Sequence, residues 1–269
     1  MTDFLEQVIA ERRADVAAAR RAVSDDAIGA SARVGPMRPF DQFYQSLRHR
    51  GSSLAVIAEV KRISPASGVL TANFDPVAQA VRYVAAGATA ISVLTEQRHW
   101  GGTLADLVAI RQAVTVPLLA KDVIVDPYQI YEARTAGADA VLLIAEALDD
   151  DLLKEMVAIT KTLGMSALVE AHEATAFGRA VSSGAQVVGV NARNLRTPSE
   201  IDVGRIRQLH TFAHADQILV AESGIASLDD ARMLPARVDA VLVGTALMRA
   251  ADPGPLIKGI ASIGRRVHA

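Results

Sequence analysis

The sequence of 269 residues contains no cysteine. This absence excludes disulfide bonds, cysteine-ligated zinc and thiol catalysis, and it is compatible with a cytoplasmic location. No apolar run reaches the roughly 18 residues that a membrane-spanning helix needs. Residues 1–25 carry charged side chains throughout, unlike a secretory signal peptide. We therefore expect no membrane association.

Aromatic residues are scarce at 4%, although hydrophobic residues together make up 51% of the chain. This aliphatic composition favours an α/β protein. The net charge of −2 offers no electrostatic attraction for nucleic acid. The histidines are scattered at positions 49, 99, 172, 210, 214 and 268, so we predict no metal site.

From residue 53 onward, short aliphatic runs alternate with helix-like stretches. The runs predict eight strands, at residues 54–60, 90–94, 116–120, 140–144, 166–169, 186–190, 218–221 and 240–243. The stretches between them predict seven helices, near residues 75–86, 103–113, 126–136, 149–163, 172–182, 202–211 and 227–234. Continuous apolar strands are typical of parallel sheets covered on both faces. Eight βα units predict a (β/α)8 (TIM) barrel. A doubly wound open sheet is the alternative, but the first turn lacks Gly-x-Gly.

The first fifty residues predict helices without a core of their own. Residues 2–22 have helical periodicity, with arginine pairs at 12–13 and 20–21 on the expected solvated face. A Gly/Pro-containing connection at 29–39 precedes a short helix at 40–47. We therefore predict one domain over residues 1–269, in which residues 1–50 form an N-terminal helical extension.

A weak internal repeat supports the barrel. Small residues flank Gly87, Gly137 and Gly184, each just before an even-numbered strand. Glycine at this place is a good helix C-cap. The period corresponds to two βα units, although loop geometry alone could also produce it.

Polar side chains follow most of the predicted strands, at the end where barrel enzymes have their active sites. They are Glu59 and Lys61, Thr95-Glu96, Lys121-Asp122, Glu146, Glu170, Asn191 and Arg193, and Glu222. Lysines and glutamates that converge in an apolar pocket suit general acid–base catalysis. A Schiff-base lysine is a second possibility. For any single residue, a salt bridge on the rim is the alternative.

Small residues follow the last two strands as Ser223-Gly224 and Gly244-Thr245. This pattern is typical of the phosphate site of barrel enzymes, where backbone N–H groups bind the anion. Two ordinary glycine turns are the alternative. After the second strand, Trp100-Gly101-Gly102 has the composition of a mobile loop.

The chain resembles the indole-3-glycerol phosphate synthase family of tryptophan biosynthesis. The matching stretches are IAEVKRISPASG at 57–68, LTE at 94–96, KD at 121–122, DPYQI at 126–130, LVE at 168–170, GVNARNL at 189–195, AESG at 221–224 and VG at 243–244. The resemblance covers nearly the whole chain and implies the (β/α)8 barrel. It also implies ring closure of 1-(2-carboxyphenylamino)-1-deoxyribulose 5-phosphate, with loss of carbon dioxide and water, without cofactor or metal.

The resemblance also implies roles for individual residues. Lys121 is expected to be the general acid of ring closure. Glu170 is expected to act in the later dehydration as base or charge stabiliser, with Lys61 as candidate acid and Glu59 positioning Lys61. Substrate binding is expected at Ser64, Pro65, Asn191, Arg193 and Glu222, and phosphate binding at Ser223, Gly224, Gly244 and Thr245.

The chain departs from the family pattern at four positions. Val123 replaces a usual phenylalanine, which removes about 1 kcal/mol of aromatic stacking on the substrate ring. Ala192, Thr103 and Thr245 are milder changes that remove no charged group. Val123 leaves open a related barrel with an altered substrate, or a weakly active ligand-binding paralogue. For assembly, we expect a monomer or a weak homo-oligomer.

Overall fold

The computed structural model describes residues 3–34, 39–48, 53–71 and 74–265. Eight parallel strands close into a barrel in the order β1-β8-β7-β6-β5-β4-β3-β2. They are β1 (Ala55–Val60), β2 (Ala90–Leu94), β3 (Leu118–Lys121), β4 (Ala140–Ile144), β5 (Ser166–Ala171), β6 (Val187–Asn191), β7 (Ile218–Glu222) and β8 (Ala240–Val243). The predicted (β/α)8 barrel is confirmed, and the open sheet is wrong.

Helices alternate with the strands as the sequence predicts. They are α4 (Pro76–Ala85), α5 (Leu104–Ala113), α6 (Pro127–Thr135), α7 (Asp150–Thr162), α8 (Ala174–Ser182), α9 (Arg205–Leu209) and α10 (Leu228–Arg232). Two more follow β8, α11 (Thr245–Arg249) and α12 (Gly254–Ala261). Helix α9 is shorter than predicted and continues as a 3₁₀ turn, His210–Phe212. No helix in the described part of the chain is long and apolar enough to cross a bilayer.

The repeated glycines end helices α4, α6 and α8. Gly87, Gly137 and Gly184 have φ values of 96°, 95° and 87°, a left-handed region that other residues rarely adopt. Each glycine turns the chain towards an even-numbered strand, which begins three residues later. The C-cap prediction is confirmed.

Three helices precede the barrel, namely α1 (Phe4–Ala22), α2 (Asp25–Val34) and α3 (Gln42–Arg48). Helix α3 lies at the N-terminal ends of the strands, where the Tyr44 N–H donates to Ser166 Oγ at 3.2 Å. Helix α1 begins at the opposite end, where the Phe4 N–H donates to the carbonyl of Arg196 at 3.2 Å. One helix therefore packs at each end of the barrel.

The predicted connection at residues 29–39 is wrong over its first part, because residues 29–34 belong to α2. The buried small residues Gly29 and Ala32 let this helix pack on α6. That packing offsets the low helix propensity of glycine. Residues 35–38 lie outside the described part of the chain.

Strand alternation decides which side chains enter the barrel. Ile57, Leu119, Leu168 and Val220 are buried in its interior. Side chains two residues further along a strand point the same way. The next interior positions, towards the C-terminal ends, are therefore Glu59, Lys121, Glu170 and Glu222.

Candidate active site

A cavity of about 580 Å³ opens at the C-terminal ends of the barrel strands. All of the site residues nominated from the sequence line it: Glu59, Lys61, Ser64, Pro65, Lys121, Glu170, Asn191, Arg193, Glu222, Ser223, Gly224, Gly244 and Thr245. Leucine, isoleucine and valine side chains form much of its remaining wall. The barrel therefore brings the predicted set together, and the individual roles remain predictions.

Lys121 lies between two buried carboxylates at the floor of the cavity. Its Nζ is 3.0 Å from Glu170 Oε2 and 3.0 Å from Glu222 Oε2. The two glutamate side chains are only 2% and 1% exposed. In this water-poor setting, the charges interact more strongly than they would at the surface.

The pKa values of the three floor residues diverge. Burial alone would lower the pKa of Lys121, but Glu170, Glu222 and Glu59 outweigh it and raise that pKa. Burial raises the pKa of Glu222, and the neighbouring charge of Glu170 raises it further. Burial opposes ionisation of Glu170 as well, but Lys121 and a hydrogen bond from Glu222 lower its pKa. These shifts favour the ammonium form of Lys121 and the anionic form of Glu170, and they make Glu222 the harder of the two glutamates to ionise.

Asn191 fixes the orientation of Glu170. Its Nδ2 donates to Glu170 Oε1 at 3.2 Å, and its Oδ1 accepts from Ser223 Oγ at 2.9 Å. Gly189 leaves room for the second carboxylate, because a Cβ there would lie 2.3 Å from Glu222 Oε1. The importance of Gly189 is not visible in the sequence, since the contact joins adjacent strands.

The charged pair at the end of β1 faces the same cavity. Lys61 Nζ lies 2.5 Å from Glu59 Oε1. Gly244 gives this pair its space, because a Cβ at that position would approach Glu59 Oε1 to 2.1 Å. Gly244 therefore has a steric role in addition to its predicted role at the phosphate site.

The predicted phosphate site lies at the rim, after β7 and β8. Ser223 and Gly224 both have left-handed backbone conformations, with φ values of 66° and 75°. Such turns create concavities of N–H groups that suit anions. Gly244 immediately precedes α11, and Thr245 is the first residue of that helix.

Ser64 and Pro65 lie in the first βα loop, which contains a small hairpin. Ile63–Ser64 pairs antiparallel with Gly68–Val69. The Arg62 guanidinium donates to the Gly101 carbonyl at 2.8 Å and to Asp106 Oδ1 at 2.8 Å. The first loop is thereby tied to the second.

The loop after β2 brings an aromatic ring to the cavity. The buried Glu96 carboxylate accepts the backbone N–H groups of Arg98, His99 and Trp100 at 2.7–3.0 Å. Trp100 lines the cavity and packs against Phe4 of α1 at a ring-centroid distance of 5.9 Å. The Glu96 carboxylate therefore stabilises the backbone of its own loop.

Glu146, at the end of β4, is likewise committed to the backbone. Its Oε1 accepts the N–H groups of His172 at 2.7 Å and Glu173 at 2.9 Å. It does not line the main cavity.

The predicted solvated position of Arg12 is wrong. Its side chain is 13% exposed, and its Nε lies 3.0 Å from Asp122 Oδ1. Asp122 also accepts from Thr95 Oγ1 at 2.9 Å. Helix α1 thus reaches the residue next to Lys121. An arginine pair at this spacing is normally solvated, so no sequence signal distinguishes Arg12.

The indole-3-glycerol phosphate synthase family model matches residues 5–260. The chain belongs to the indole-3-glycerol phosphate synthase family.

Two similar relatives bear this family's name. One, from Nocardioides sp., is 48% identical over 264 residues, covering 96% of this chain and 98% of the relative. Another, from Rhodococcus opacus, is 43% identical over 261 residues, covering 97% and 95%. This similarity does not favour the altered-substrate or paralogue alternatives.

Solved structures with low identity share the fold alone. The 3-hexulose-6-phosphate synthase of Salmonella typhimurium is 18% identical, with a TM-score of 0.62 over 77% of this chain and 97% of that one. The thiamine phosphate pyrophosphorylase of Pyrococcus furiosus is also 18% identical, with a TM-score of 0.57 over 79% and 96%.

Within this family, the departure at Val123 falls on the cavity wall. Val123 is 3% exposed and belongs to the interior apolar cluster, against which Trp100 also packs. The wall therefore keeps the aromatic ring of Trp100, on the side of the second loop. Among the described residues, no group of three or more His, Asp or Glu is arranged to hold a metal ion.

Proposed function

We propose that the protein is an indole-3-glycerol phosphate synthase that acts on 1-(2-carboxyphenylamino)-1-deoxyribulose 5-phosphate. The observation that carries this proposal is the Lys121 ammonium held between Glu170 and Glu222 beneath an apolar wall. A flat aromatic ring can pack on that wall while its keto side chain meets the ammonium.

In ring closure, the aromatic carbon that bears the carboxylate attacks the ketone carbon. Lys121 donates its proton to the ketone oxygen, which becomes a hydroxyl group. Loss of carbon dioxide then returns the electron pair of the broken bond to the ring and restores its aromaticity. The flanking carboxylates keep Lys121 protonated until the oxygen develops charge.

In the dehydration, the new hydroxyl leaves as water. In this proposal Lys61 donates the proton to the leaving group, and its ion pair with Glu59 supports that role by orienting the ammonium. The ionised Glu170 takes the proton that the five-membered ring must lose. Carbon dioxide and one water are released, and the indole ring is complete.

Binding uses groups around this centre. Arg193 lies above β6, where its guanidinium can receive the anthranilate carboxylate. Its pKa is lowered by burial, and the charge of Glu59 opposes that shift. The rim at Ser223-Gly224 and Gly244-Thr245 receives the phosphate.

The Schiff-base possibility requires a neutral lysine amine. The raised pKa of Lys121 disfavours that form. We therefore expect no covalent adduct when the enzyme is treated with borohydride in the presence of substrate. A mass increase at Lys121 would restore the Schiff-base mechanism.

The direct test is incubation with the carboxyphenylamino-deoxyribulose phosphate while indole fluorescence is followed. The expected result is a fluorescence increase that is proportional to enzyme concentration. Its product should co-elute with indole-3-glycerol phosphate. Absence of product at high enzyme concentration would overturn the proposed function.

A further inference from the structure

Arg249 differs from the other cations that line the cavity. Lys61 is paired with Glu59, and Lys121 is paired with Glu170 and Glu222. The Arg193 guanidinium donates to the carbonyl of Pro198. The Arg249 side chain is exposed and makes no hydrogen bond or ion pair within the described ranges 3–34, 39–48, 53–71 and 74–265.

The position of Arg249 directs it towards the rim. It is the last residue of α11, and Thr245 is the first, so the two are four residues apart and share one face. Both line the cavity, as do Ala246 and Ala250. Helical side chains lean towards the N-terminus of their helix, which here is the Gly244–Thr245 end.

The acidic groups that line the cavity do not neutralise the charge of Arg249. The proposed substrate carries a carboxylate and a phosphate, and the two lysine charges are already offset by glutamates. Arg193 can neutralise the carboxylate. Near the rim, a Cβ at Gly244 would lie 2.8 Å from Lys61 Nζ, but that ammonium is paired with Glu59. Without Arg249, a phosphate at the rim would therefore meet, among the described residues, no cation that lacks an acidic partner, only the paired Lys61, backbone N–H groups and hydroxyls.

We propose that Arg249 binds the substrate's phosphate group as a side-chain ligand in addition to the backbone of the rim. This inference rests on the proposed function. A guanidinium offers two parallel N–H donors to a phosphate, and such charge-assisted pairs are among the stronger hydrogen bonds in proteins. Arg249 would therefore discriminate phosphorylated from dephosphorylated ligands.

The experiment compares two inert ligands. Reduction of the substrate's ketone gives an alcohol that cannot close the ring, and phosphatase treatment of that alcohol removes its phosphate. Trp100 is the single tryptophan of the chain and lines the cavity, so its fluorescence reports binding of both ligands. The proteins are wild type, Arg249→Ala, Arg249→Lys and the charge-matched control Arg13→Ala, which alters an exposed residue of α1.

Arg249→Ala should weaken binding of the phosphorylated alcohol by about 10- to 100-fold and leave the dephosphorylated alcohol unchanged. Arg249→Lys should recover part of the loss, and Arg13→Ala should match wild type. Equal effects on both ligands, or no effect on either, would overturn the role of Arg249.

Failure of the proposed function has a different signature, because wild type would then neither bind the phosphorylated alcohol nor form product. Inorganic phosphate would still test Arg249, through its stabilisation of the protein against heat relative to chloride at equal ionic strength. Loss of that stabilisation in Arg249→Ala supports the anion site. The same stabilisation in wild type and variant, including none in either, overturns it.

Discussion

The floor and the rim of the cavity are built to hold charge in different ways. The floor consists of side chains from the interior positions of regular strands, with Lys121, Glu170 and Glu222 in direct contact. The rim consists largely of backbone, at Ser223-Gly224 and at Gly244, where a helix begins. One is a buried charge cluster, and the other is an open set of donors.

This difference separates chemistry from affinity. The floor is shielded from water, so its protons are held at defined atoms and any loss of charge balance changes reactivity. The rim is open, and its donors serve the ground state and the transition state alike. Changes at the floor should lower kcat, whereas changes at the rim should raise KM.

The largest effect is expected from Lys121→Ala. Removing the general acid should lower kcat by about 1,000-fold, because general acid catalysis typically contributes 10²–10⁴-fold. Binding of the inert alcohol should persist. Circular dichroism and thermal unfolding control for misfolding caused by the two carboxylates left unpaired. Near-normal turnover would contradict the assigned role.

The next largest effect is expected on the pH dependence of stability in Asp122→Asn. Asp122 follows Lys121 in the chain and forms an ion pair with Arg12 of α1. Burial raises the pKa of Asp122 to about 6, although Arg12 opposes the shift. The folded state therefore binds more protons than the unfolded state, and stability falls as pH rises through this range. Between about pH 3 and pH 7, wild type should lose about 3 kcal/mol of unfolding free energy relative to Asp122→Asn.

Chemical unfolding at several pH values measures this difference. Asp106→Asn serves as the opposite control. Burial opposes ionisation of Asp106, but Arg62 outweighs it and lowers the pKa. The stabilisation by Asp106 should therefore be lost as pH falls. A difference between wild type and Asp122→Asn that does not vary with pH would contradict the assigned ionisation.

Gly189→Ala tests the space that Gly189 leaves for the Glu222 carboxylate. The added Cβ would lie 2.3 Å from Glu222 Oε1, so the carboxylate must move away from Lys121. We expect kcat to fall by roughly 30-fold, on the order of 2 kcal/mol, with a smaller change in KM. The matched control is Gly178→Ala on α8, where a Cβ meets nothing within 4 Å. Equal kinetics in both variants would contradict the proposed steric role of Gly189.

Gly224→Ala tests the rim. The residue has a φ of 75°, and a Cβ would lie 2.7 Å from Val203 Cγ1, so the turn must distort. KM should rise about tenfold, as expected for loss of one charge-assisted hydrogen bond, while kcat should change little. A selective loss of kcat would break the proposed division between rim and floor.

Val123→Phe should have the smallest effect. An added ring on the cavity wall can stack on the substrate, which is worth about 1 kcal/mol or roughly fivefold in kcat/KM. Steady-state kinetics for the two proteins measure this. A large loss of turnover would indicate that the wall is shaped around valine, and that the substrate differs from the one proposed.

Much of the floor could be predicted from the sequence because strand geometry is regular. A charged residue two positions after a buried aliphatic residue must share its face, as Glu59 does with Ile57. The left-handed glycines were predictable because a helix C-cap is also a local feature of the chain. Helix α2 was not, because its stability comes from packing on α6.

Contacts between side chains of different helices and strands could not be predicted from the sequence either. Arg12 and Asp122 are separated by 110 residues and meet only because α1 folds over the barrel mouth. Gly189 matters because of a carboxylate on the neighbouring strand. Arg249 differs from Lys61, Lys121 and Arg193 only in the folded chain, where those three cations have ion-pair or hydrogen-bond partners.

The sequence by itself determined the barrel, the polar ends of seven strands and their shared direction, because hydrophobic periodicity and glycine caps are local properties. Only the tertiary structure decided how those residues are paired. Glu96 and Glu146 bind backbone N–H groups, whereas Glu170 and Glu222 hold Lys121. Four carboxylates with similar positions in the sequence differ because burial and distance, which set the strength of charge interactions, exist only in the folded chain.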